Sequence, residues 1–436
     1  MKPGKTKYNP EQFKFYTLLN DENRGIVDEL CRLYRFTFQE TRFIVTAARD
    51  IELLKHGLLK KFYSKLHEYI SKKHTFTALR TMHNEVLNPP KDTDTDLRST
   101  EILYDQQPAD TEFSEEPDQS ICVQKNDALE NNTSISGFCP VMSEKTMCCR
   151  LRTIDAVTSC SAGCQYCIIQ TFYNGTVQLR ADLPKALDTI PIDPSKRFHF
   201  GTGQSSDSLL WGNHHGMLDE LCRFASTNKN IFLEFKTKSA KTGYFLSADP
   251  PKNIVISWSL NTEEAAQKYE KKSATIAQRI AAAAGCAGRG ILVGFHFHPM
   301  IYDGFLCLQE YRNIASALMR AINPDRIAFI SFGSLTLIKP VITSIRQSGN
   351  GAELLKYLTA RDPLGKITYP DDIKIKIFSE LYDRFAEWHN KVYMYLCMEK
   401  KEIWQRVFGC CYERNEDFEK ALIDAVFEKI TLVGKL

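Results

Sequence analysis

The stretch Ile231-Phe-Leu-Glu-Phe-Lys236 decides the fold, because apolar and polar residues alternate in it. Successive side chains of a β-strand point to opposite faces, so Glu234 and Lys236 share one face and the apolar residues between them share the other. Five further segments are predicted as strands, and helical stretches lie between them. The six predicted strands are Arg150–Ala156, Arg197–Gly201, Ile231–Lys236, Ile254–Leu260, Ile291–Phe297 and Arg326–Phe332.

Strands that alternate with helices along a chain predict parallel βα units. The helical stretches are Leu218–Ser226, Thr275–Ala284, which Gly285 is expected to end, and Leu308–Ala321. Six such units are fewer than the eight of a closed TIM barrel. The predicted fold class is therefore α/β, an open partial (β/α)6 barrel of the TIM type.

Four of the predicted strands have one apolar and one polar face. A parallel sheet covered by helices on both sides would be apolar on both faces, so the polar faces predict a polar chamber inside the barrel. The polar side chains lie towards the C-terminal ends of the strands, where barrel enzymes place their active sites. The polar positions include His199, Glu234, Lys236, Ser257, Ser259, Asn261, His296 and His298.

Composition excludes several classes of protein. The chain has 436 residues, of which 43% are hydrophobic and 25% charged, with a net charge of +3, as in an ordinary soluble protein. We see no apolar run of the roughly 18 residues that a membrane span needs, and no signal peptide at the N-terminus. We therefore expect a cytoplasmic protein without membrane contact.

The pattern along the chain predicts four parts. Residues 1–88 are expected to form a helical N-terminal domain, whose basic residues are either a solvated helix face or a nucleic-acid contact surface. Residues 89–135 are acidic and contain several prolines and few aromatic residues, and they are expected to be a disordered linker. Residues 136–345 are the predicted barrel. Residues 346–436 are expected to be an α-rich region that closes the barrel, with one strand at Val392–Cys397.

The segment Cys160-Ser-Ala-Gly-Cys164-Gln-Tyr-Cys167 is the strongest functional signal. The chain has 14 cysteines, and without a secretory signal such residues indicate metal ligation or catalysis rather than disulfides. Three thiolates in a loop after the first predicted strand can bind a [4Fe–4S] cluster and leave one iron open. A zinc site, which normally needs four protein ligands, and unligated thiols are the alternatives.

This loop resembles the signature of the radical S-adenosylmethionine (SAM) superfamily. Flanking segments extend the resemblance, over about residues 148–408, to spore photoproduct lyase and its wider relatives. The resemblance implies a SAM-derived 5′-deoxyadenosyl radical and the repair of a UV-induced thymine dimer in DNA. The flanking segments are Gln165–Gln170, Gly201–Asp207, Phe235–Lys238, Ser257–Asn261, Gly294–Pro299 and Tyr395–Glu399.

The resemblance also implies roles for single residues. Cys160, Cys164 and Cys167 match the cluster ligands, and Tyr166 matches an aromatic residue near the SAM adenine. The other matches are to positions that contact SAM: Gly201 and Gly203 at its amino end, and Lys238, Ser259 and Asn261 at its carboxylate and ribose. Lys236 is the alternative to Lys238, and each of these residues could equally be an ordinary polar residue of the cavity.

Two positions depart from the lyase pattern. Gln204-Ser-Ser-Asp207 stands where the lyase has a hydrogen-donating cysteine, and Ile168 stands where it has a tyrosine. Cys397 is a candidate hydrogen donor in their place. Alternatively, Cys397 could join Cys139 and the adjacent cysteine pairs 148–149 and 410–411 in holding a second cluster. His296 and His298 are expected to form hydrogen bonds in the cavity rather than to bind a metal.

Three functions remain open at this point. The first is a radical SAM enzyme of the photoproduct lyase type with SAM, DNA and an electron donor such as a flavodoxin or ferredoxin as partners. Since a base in a duplex must leave the stack to reach a barrel interior, this function also implies base flipping. The second is a radical SAM enzyme that acts on an RNA base or a peptide, and the third is a cluster-bearing nucleic-acid binder without turnover.

Overall fold

The computed structural model describes residues 16–34, 44–45, 48, 134–172, 177–304, 306–349 and 351–434. The chain divides into two compact units, Met1–Ile102 and Leu103–Leu436. In the first unit, helix α1 spans Asp21–Tyr34. Most of the predicted N-terminal domain and nearly all of the predicted linker lie outside the described residues. No helix among the described residues is long and apolar enough to span a membrane.

The second unit contains an eight-stranded sheet in the order β1-β2-β5-β6-β7-β8-β9-β13. The strand β1 runs antiparallel to β2, and every other neighbouring pair in this sheet is parallel. Its strands are β1 (Ser136–Phe138), β2 (Arg152–Ile154), β5 (Phe198–Thr202), β6 (Ile231–Thr237), β7 (Ile254–Ser259), β8 (Leu292–Met300), β9 (Ile327–Ser334) and β13 (Tyr393–Leu396).

Helices and short strands connect these elements. The short strands are β3 (Val157–Thr158), β4 (Gln178–Leu179), β10 (Thr336–Leu337), β11 (Ala360–Arg361) and β12 (Ile367–Thr368). The helices of this unit are α2 (Ile169–Phe172), α3 (Leu183–Asp188), α4 (Met217–Thr227), α5 (Gly243–Ser247), α6 (Glu263–Tyr269), α7 (Ile276–Gly288), α8 (Leu306–Ala321), α9 (Lys339–Gln347), α10 (Asp371–Arg384), α11 (Lys401–Phe408) and α12 (Asn415–Val433).

The predicted open α/β barrel is confirmed, and all six predicted strands are present. The predicted strand Val392–Cys397 is also present as β13, and it adds a seventh parallel strand beside β9. Gly285 does not end its helix as predicted. The helix α7 starts at a capping box of Thr275 and Gln278 and continues to Gly288, and the left-handed turn follows at Gly290, with a φ of 84°.

The helix α12 covers the N-terminal ends of the strands. Its Phe427 contacts the ring of Phe232 near the start of β6, with centroids 6.4 Å apart. The guanidinium of Arg197, just before β5, lies 4.5 Å from the centre of the same Phe427 ring. This helix of the C-terminal region therefore packs at the end of the barrel opposite to the predicted active site.

A buried polar network fills the middle of the barrel. The carboxylate of Glu234 accepts hydrogen bonds from the ring nitrogens of His199 and His296, at 2.7 and 2.6 Å, and from Ser257. The other ring nitrogen of His296 lies 2.6 Å from the hydroxyl of Ser331. The polar faces of the strands are present, but in the middle of the barrel they form a hydrogen-bonded layer rather than the predicted chamber.

The titration of His296 makes this layer sensitive to acid. Burial lowers the pKa of His296 to about 4, whereas a free histidine titrates near 6.5. The unfolded chain therefore takes up a proton at a higher pH than the folded chain, so this group's contribution to stability falls as the pH decreases from about 6.5 towards 4.

We predict that lowering the pH from 7 to 5 costs the wild-type protein about 2 kcal/mol more free energy of unfolding than it costs His296→Gln. The glutamine amide can still donate to Glu234 but does not titrate. Urea denaturation at both pH values measures the difference. An identical pH dependence in the two proteins would contradict this role of His296.

Candidate cluster and cofactor site

The cysteine loop follows β3 directly and is held in place by backbone hydrogen bonds. Gly163 has a φ of 67°, a left-handed conformation that favours glycine. The amide of Cys167 donates to the carbonyl of Cys164 at 3.1 Å, and the amide of Gln165 donates to the carbonyl of Tyr269 at 2.9 Å. The loop is thus closed on itself and fastened to the end of α6.

The three thiols of this loop lie within electrostatic reach of one another. Cys164 is buried, whereas Cys160 and Cys167 are half-buried. Burial raises the pKa of the Cys164 thiol, the Lys238 ammonium lowers it, and Glu270 and the two other thiols raise it. Among the described residues, no three Cys, His, Asp or Glu side chains converge closely enough to hold a metal ion as they stand.

The donor set nevertheless fits a [4Fe–4S] cluster with one open iron. Three soft thiol ligands come from one short loop, which is the ligand type that such clusters use. The three thiols are free rather than paired in a disulfide. Cys160, Cys164 and Cys167 would hold the group.

A buried ion pair between Arg279 and Glu270 holds the cysteine loop in place. The guanidinium of Arg279, on α7, donates to Glu270 at 2.5 Å, to Ser273 at 2.7 Å and to the carbonyl of Ser259 at 2.9 Å. The other carboxylate oxygen of Glu270 accepts a hydrogen bond from the hydroxyl of Tyr166. The chain from Arg279 to Tyr166 therefore links α7 and the end of β7 to the cysteine loop.

The loop after β5 is fastened to the end of β6 by Asp207. The carboxylate of Asp207 accepts from the hydroxyl of Thr237 at 2.8 Å and from the amide of Lys238 at 2.7 Å. Gly203 has a φ of 90°, and a Cβ on it would lie 2.7 Å from the carbonyl of Lys236. Only glycine therefore lets this loop cross β6 so closely.

The two candidate lysines lie in different surroundings. The ammonium of Lys238 is 5.9 Å from the ring centre of Tyr166. Burial raises the pKa of the Cys164 and Cys167 thiols, and the charge of Lys238 partly offsets this rise. The charge of Lys236 instead acts on Cys139 and Cys397. Lys238 is therefore the lysine beside the cysteine loop, and its contact with SAM stays a prediction.

Ser259, Asn261 and Gly201 line the strand ends but are tightly packed. Asn261 is buried; its side-chain oxygen accepts from the amide of Thr262 at 3.0 Å and from the hydroxyl of Tyr311 at 2.7 Å, and its amide donates to the carbonyl of Pro299 at 3.2 Å. The carbonyl of Ser259 accepts a hydrogen bond from the guanidinium of Arg279. In this structure these residues support the site, and their contacts with SAM stay predictions.

The comparisons with known proteins find similarity to one family. Residues 152–340 match the family model described as spore photoproduct lyase. The predicted resemblance to this family is confirmed. A curated relative, the spore photoproduct lyase of Clostridium acetobutylicum, is 25% identical over 183 residues, which are 40% of this chain and 54% of the relative. The chain therefore spans about half the length of that relative.

Solved structures of spore photoproduct lyase are also similar to this chain. A variant with the dinucleoside spore photoproduct has a TM-score of 0.48 at 20% identity, over 56% of this chain and 75% of that chain. A variant with bound AdoMet and the dinucleoside spore photoproduct has a TM-score of 0.46 at 20% identity, over 55% of this chain and 74% of that chain.

Several residues that build the site were not predicted as such. Asp207 lies in one of the segments that resemble the lyase. Its role as the anchor of Lys238 depends on a contact with the end of β6 that the sequence does not show. Glu270 and Arg279 carry no motif at all. A charged residue on a helix is usually solvent-exposed, so the burial of Arg279 could not be seen from the sequence.

We predict that Arg279→Met destabilises the protein by about 3–5 kcal/mol, because it leaves the buried carboxylate of Glu270 without its cation. The matched control is Lys268→Met, which removes the exposed partner of Glu264 and should cost less than about 1 kcal/mol. Urea denaturation of both variants measures the costs. Equal stability of the two variants would show that the anchor is unimportant.

Proposed function

We propose that this chain is a radical SAM enzyme of the spore photoproduct lyase type. Cys160, Cys164 and Cys167 hold a [4Fe–4S] cluster, and SAM binds beside it against Lys238. The observation that carries the proposal is the coincidence of two features: the family match spans residues 152–340, and this segment contains both the three-cysteine loop and the lysine that lies next to it.

When bound, the cluster supplies the electron that cleaves SAM to a 5′-deoxyadenosyl radical. The residues of the chain bind and orient the cofactor. The Lys238 ammonium pairs with the SAM carboxylate, and Asp207 fixes the backbone of this lysine through its amide. Tyr166, whose hydroxyl is held by Glu270, presents its ring to the adenine, and the turn with Gly201 and Gly203 presents backbone groups to the amino group.

Damaged DNA is the substrate that the family relationship favours. A thymine dimer would have to leave the base stack to reach the strand ends. Gln204, in the position where the lyase has its thiol, favours a second candidate, a radical SAM enzyme for an RNA base or a peptide. A cluster-bearing nucleic-acid binder without turnover is the third.

Cys397 is the proposed thiol hydrogen donor. It follows β13 at the C-terminal ends of the strands, where it is half-buried. The charge of Lys236 acts on its thiol, so both side chains belong to the same part of the barrel. The remaining parts of the proposal are a reduced flavodoxin or ferredoxin as electron donor and a cytoplasmic location.

We predict that Lys238→Ala weakens SAM binding about ten- to a hundredfold and leaves the iron content unchanged. The loss of one charge-assisted hydrogen bond costs about 1.5–3 kcal/mol. Lys236→Ala is the matched control and should bind SAM within a few-fold of the wild type, whereas Cys164→Ala should lose iron first. The assignment is wrong if Lys236→Ala loses the affinity and Lys238→Ala keeps it.

The substrate is tested by anaerobic reconstitution with iron, sulfide, SAM and a reductant, with and without UV-irradiated DNA. We expect the release of 5′-deoxyadenosine together with the loss of a thymine photoproduct. The release of 5′-deoxyadenosine without loss of photoproduct would favour the RNA-base or peptide substrate. A protein that keeps its cluster but releases no 5′-deoxyadenosine would be a binder.

A further inference from the structure

Three side chains at the mouth of the barrel are unpaired within the part of the chain that the structure describes. The ammonium of Lys236, the imidazole of His298 and the thiol of Cys397 make no hydrogen bond or ion pair with any other described residue. The sequence predicts hydrogen bonds for both His296 and His298, but only His296 makes them. The three unpaired groups are therefore available to a ligand.

Two of these side chains lie directly above the hydrogen-bonded layer in the middle of the barrel. Glu234 on β6 and His296 on β8 point into the interior, since they bond to each other across β7. Residues two apart on a strand share a face, so Lys236 and His298 point into the interior one step closer to the strand ends. The layer below, called the Glu234 layer, consists of His199, Glu234, Ser257, His296 and Ser331.

A glycine on β9 makes room for the ring of His298. A Cβ on Gly333 would lie 2.7 Å from the Cγ of this ring. Ser331, two residues earlier on β9, points into the barrel, because its hydroxyl contacts His296. The missing side chain of Gly333 would therefore point inwards as well, and the ring of His298 occupies the space that it leaves.

The thiol of Cys397 completes this upper layer. The last paired residues of β13 and β9 are Leu396 and Phe332. The pairing continues for one more residue, because the amide of Cys397 donates to the carbonyl of Phe332 at 2.7 Å. Cys397 therefore lies beside Gly333, on the strand next to the ring of His298. The name mouth layer is used below for Lys236, His298 and Cys397.

The mouth layer is accessible, whereas the layer below it is closed. Lys236, His298 and Cys397 are half-buried, but every residue of the Glu234 layer is buried. The mouth layer also lies on the side of the C-terminal strand ends, where barrel enzymes bind their substrates. A molecule that enters the mouth of the barrel therefore meets these three side chains first and stops at the Glu234 layer.

The mouth layer offers both a hydrogen-bond donor and an acceptor. The ammonium of Lys236 can only donate. Desolvation lowers the pKa of His298 well below its usual range, and the charge of Lys236 adds to this effect. The ring is therefore neutral at pH 7 and keeps one nitrogen as an acceptor. A ligand that pairs with both groups needs a carbonyl oxygen and an N–H on the same edge.

A nucleobase meets this requirement, whereas a peptide group or an anion does not. In thymine a ring carbonyl and the ring N–H are neighbours on one edge, and enzymes that flip a base out of the stack bind it by this edge. A trans peptide group directs its C=O and N–H to opposite sides. An anion without an N–H would leave the acceptor nitrogen of His298 unpaired.

The charge of the layer below also favours a neutral ligand. Burial alone would raise the pKa of Glu234, but the imidazoles of His296 and His199 hold it well below its usual range. Glu234 is therefore ionised, and it lies two residues before Lys236 on the same face of β6. Because this carboxylate already supplies a negative charge below Lys236, the ammonium does not require an anionic ligand.

We propose that Lys236 and His298 recognise the substrate base: the ammonium of Lys236 donates to a ring carbonyl, and His298 accepts a hydrogen bond from the neighbouring ring N–H. This role rests on the proposed function and deepens it, since it names a nucleobase with adjacent C=O and N–H groups as the part of the substrate that enters the barrel. The bound base lies beside the thiol of Cys397. Lys236 and Lys238 then have different ligands, the base and SAM.

Equilibrium binding to the cluster-loaded protein, with SAM but without a reductant, tests this role. The probes are the dinucleoside spore photoproduct and a form that is methylated at the N3 atoms of its rings and lacks the ring N–H. We expect Lys236→Met to bind the unmethylated probe about ten- to a hundredfold more weakly than the wild type. His298→Phe should bind it about two- to tenfold more weakly. Methylation should weaken binding to the wild type much more than binding to His298→Phe, because both changes remove the same hydrogen bond.

Two variants serve as matched controls. Lys252→Met and His214→Phe remove an exposed lysine and an exposed histidine, and both should bind the probe like the wild type. Iron content and SAM affinity check that each variant is folded and loaded. The proposal is overturned if the wild type binds no probe, if Lys236→Met and His298→Phe bind like the controls, or if methylation weakens binding to the wild type and to His298→Phe equally.

Inorganic phosphate and N-acetylglutamate test the anionic alternatives, a nucleic-acid backbone and an acidic peptide. The proposal is overturned if Lys236→Met loses affinity for one of these anions and keeps its affinity for the dinucleoside probe. Binding needs no turnover, so this proposal and the proposed function fail separately. Weakened probe binding by both variants of a protein that releases no 5′-deoxyadenosine would support the recognition role and overturn the proposed function. Release of 5′-deoxyadenosine with unchanged probe binding in both variants would do the reverse.

Discussion

Arg279 ties the end of β7, the loop after α6 and the cysteine loop together through one completely buried guanidinium. A buried charge is costly unless it is paired and its donors are satisfied. Here Glu270 supplies the opposite charge, and the carbonyls of Ser259 and Ala274 take further donors. Because Glu270 also accepts the hydroxyl of Tyr166, the position of the three cysteines depends on this pair.

The second constraint is the polar layer around Glu234 in the middle of the barrel. Burial alone would raise the pKa of this carboxyl group, but the imidazoles of His296 and His199 hold it well below its usual range. The layer separates the helix-covered N-terminal end from the strand ends that carry Lys236, Lys238 and Cys397. The polar strand faces therefore have two roles. The residues in the middle of the strands pack the interior of the barrel, and the residues at the C-terminal ends of the strands form its mouth.

The sequence is sufficient to predict the barrel and the cysteine loop, because both depend on patterns between neighbours in the chain. Alternation along Ile231–Lys236 and the spacing of Cys160, Cys164 and Cys167 are such patterns. The burial of Arg279 and the anchoring of Lys238 by Asp207 depend on contacts between distant segments, which no local pattern reveals. At Gly285 a local pattern gave a wrong prediction. A glycine favours the end of a helix, but α7 continues to Gly288, and Cys286 and Ala287 beyond Gly285 are buried.

The most direct test of the central claim is an electron paramagnetic resonance measurement on the anaerobically reconstituted, reduced protein before and after SAM is added. A [4Fe–4S] cluster held by three thiolates has one iron open to SAM, so we expect a reduced-cluster signal that changes shape when SAM binds. We expect no such signal from Cys164→Ala. A wild-type protein with a cluster signal that SAM leaves unchanged, or with zinc in place of iron, would contradict the claim.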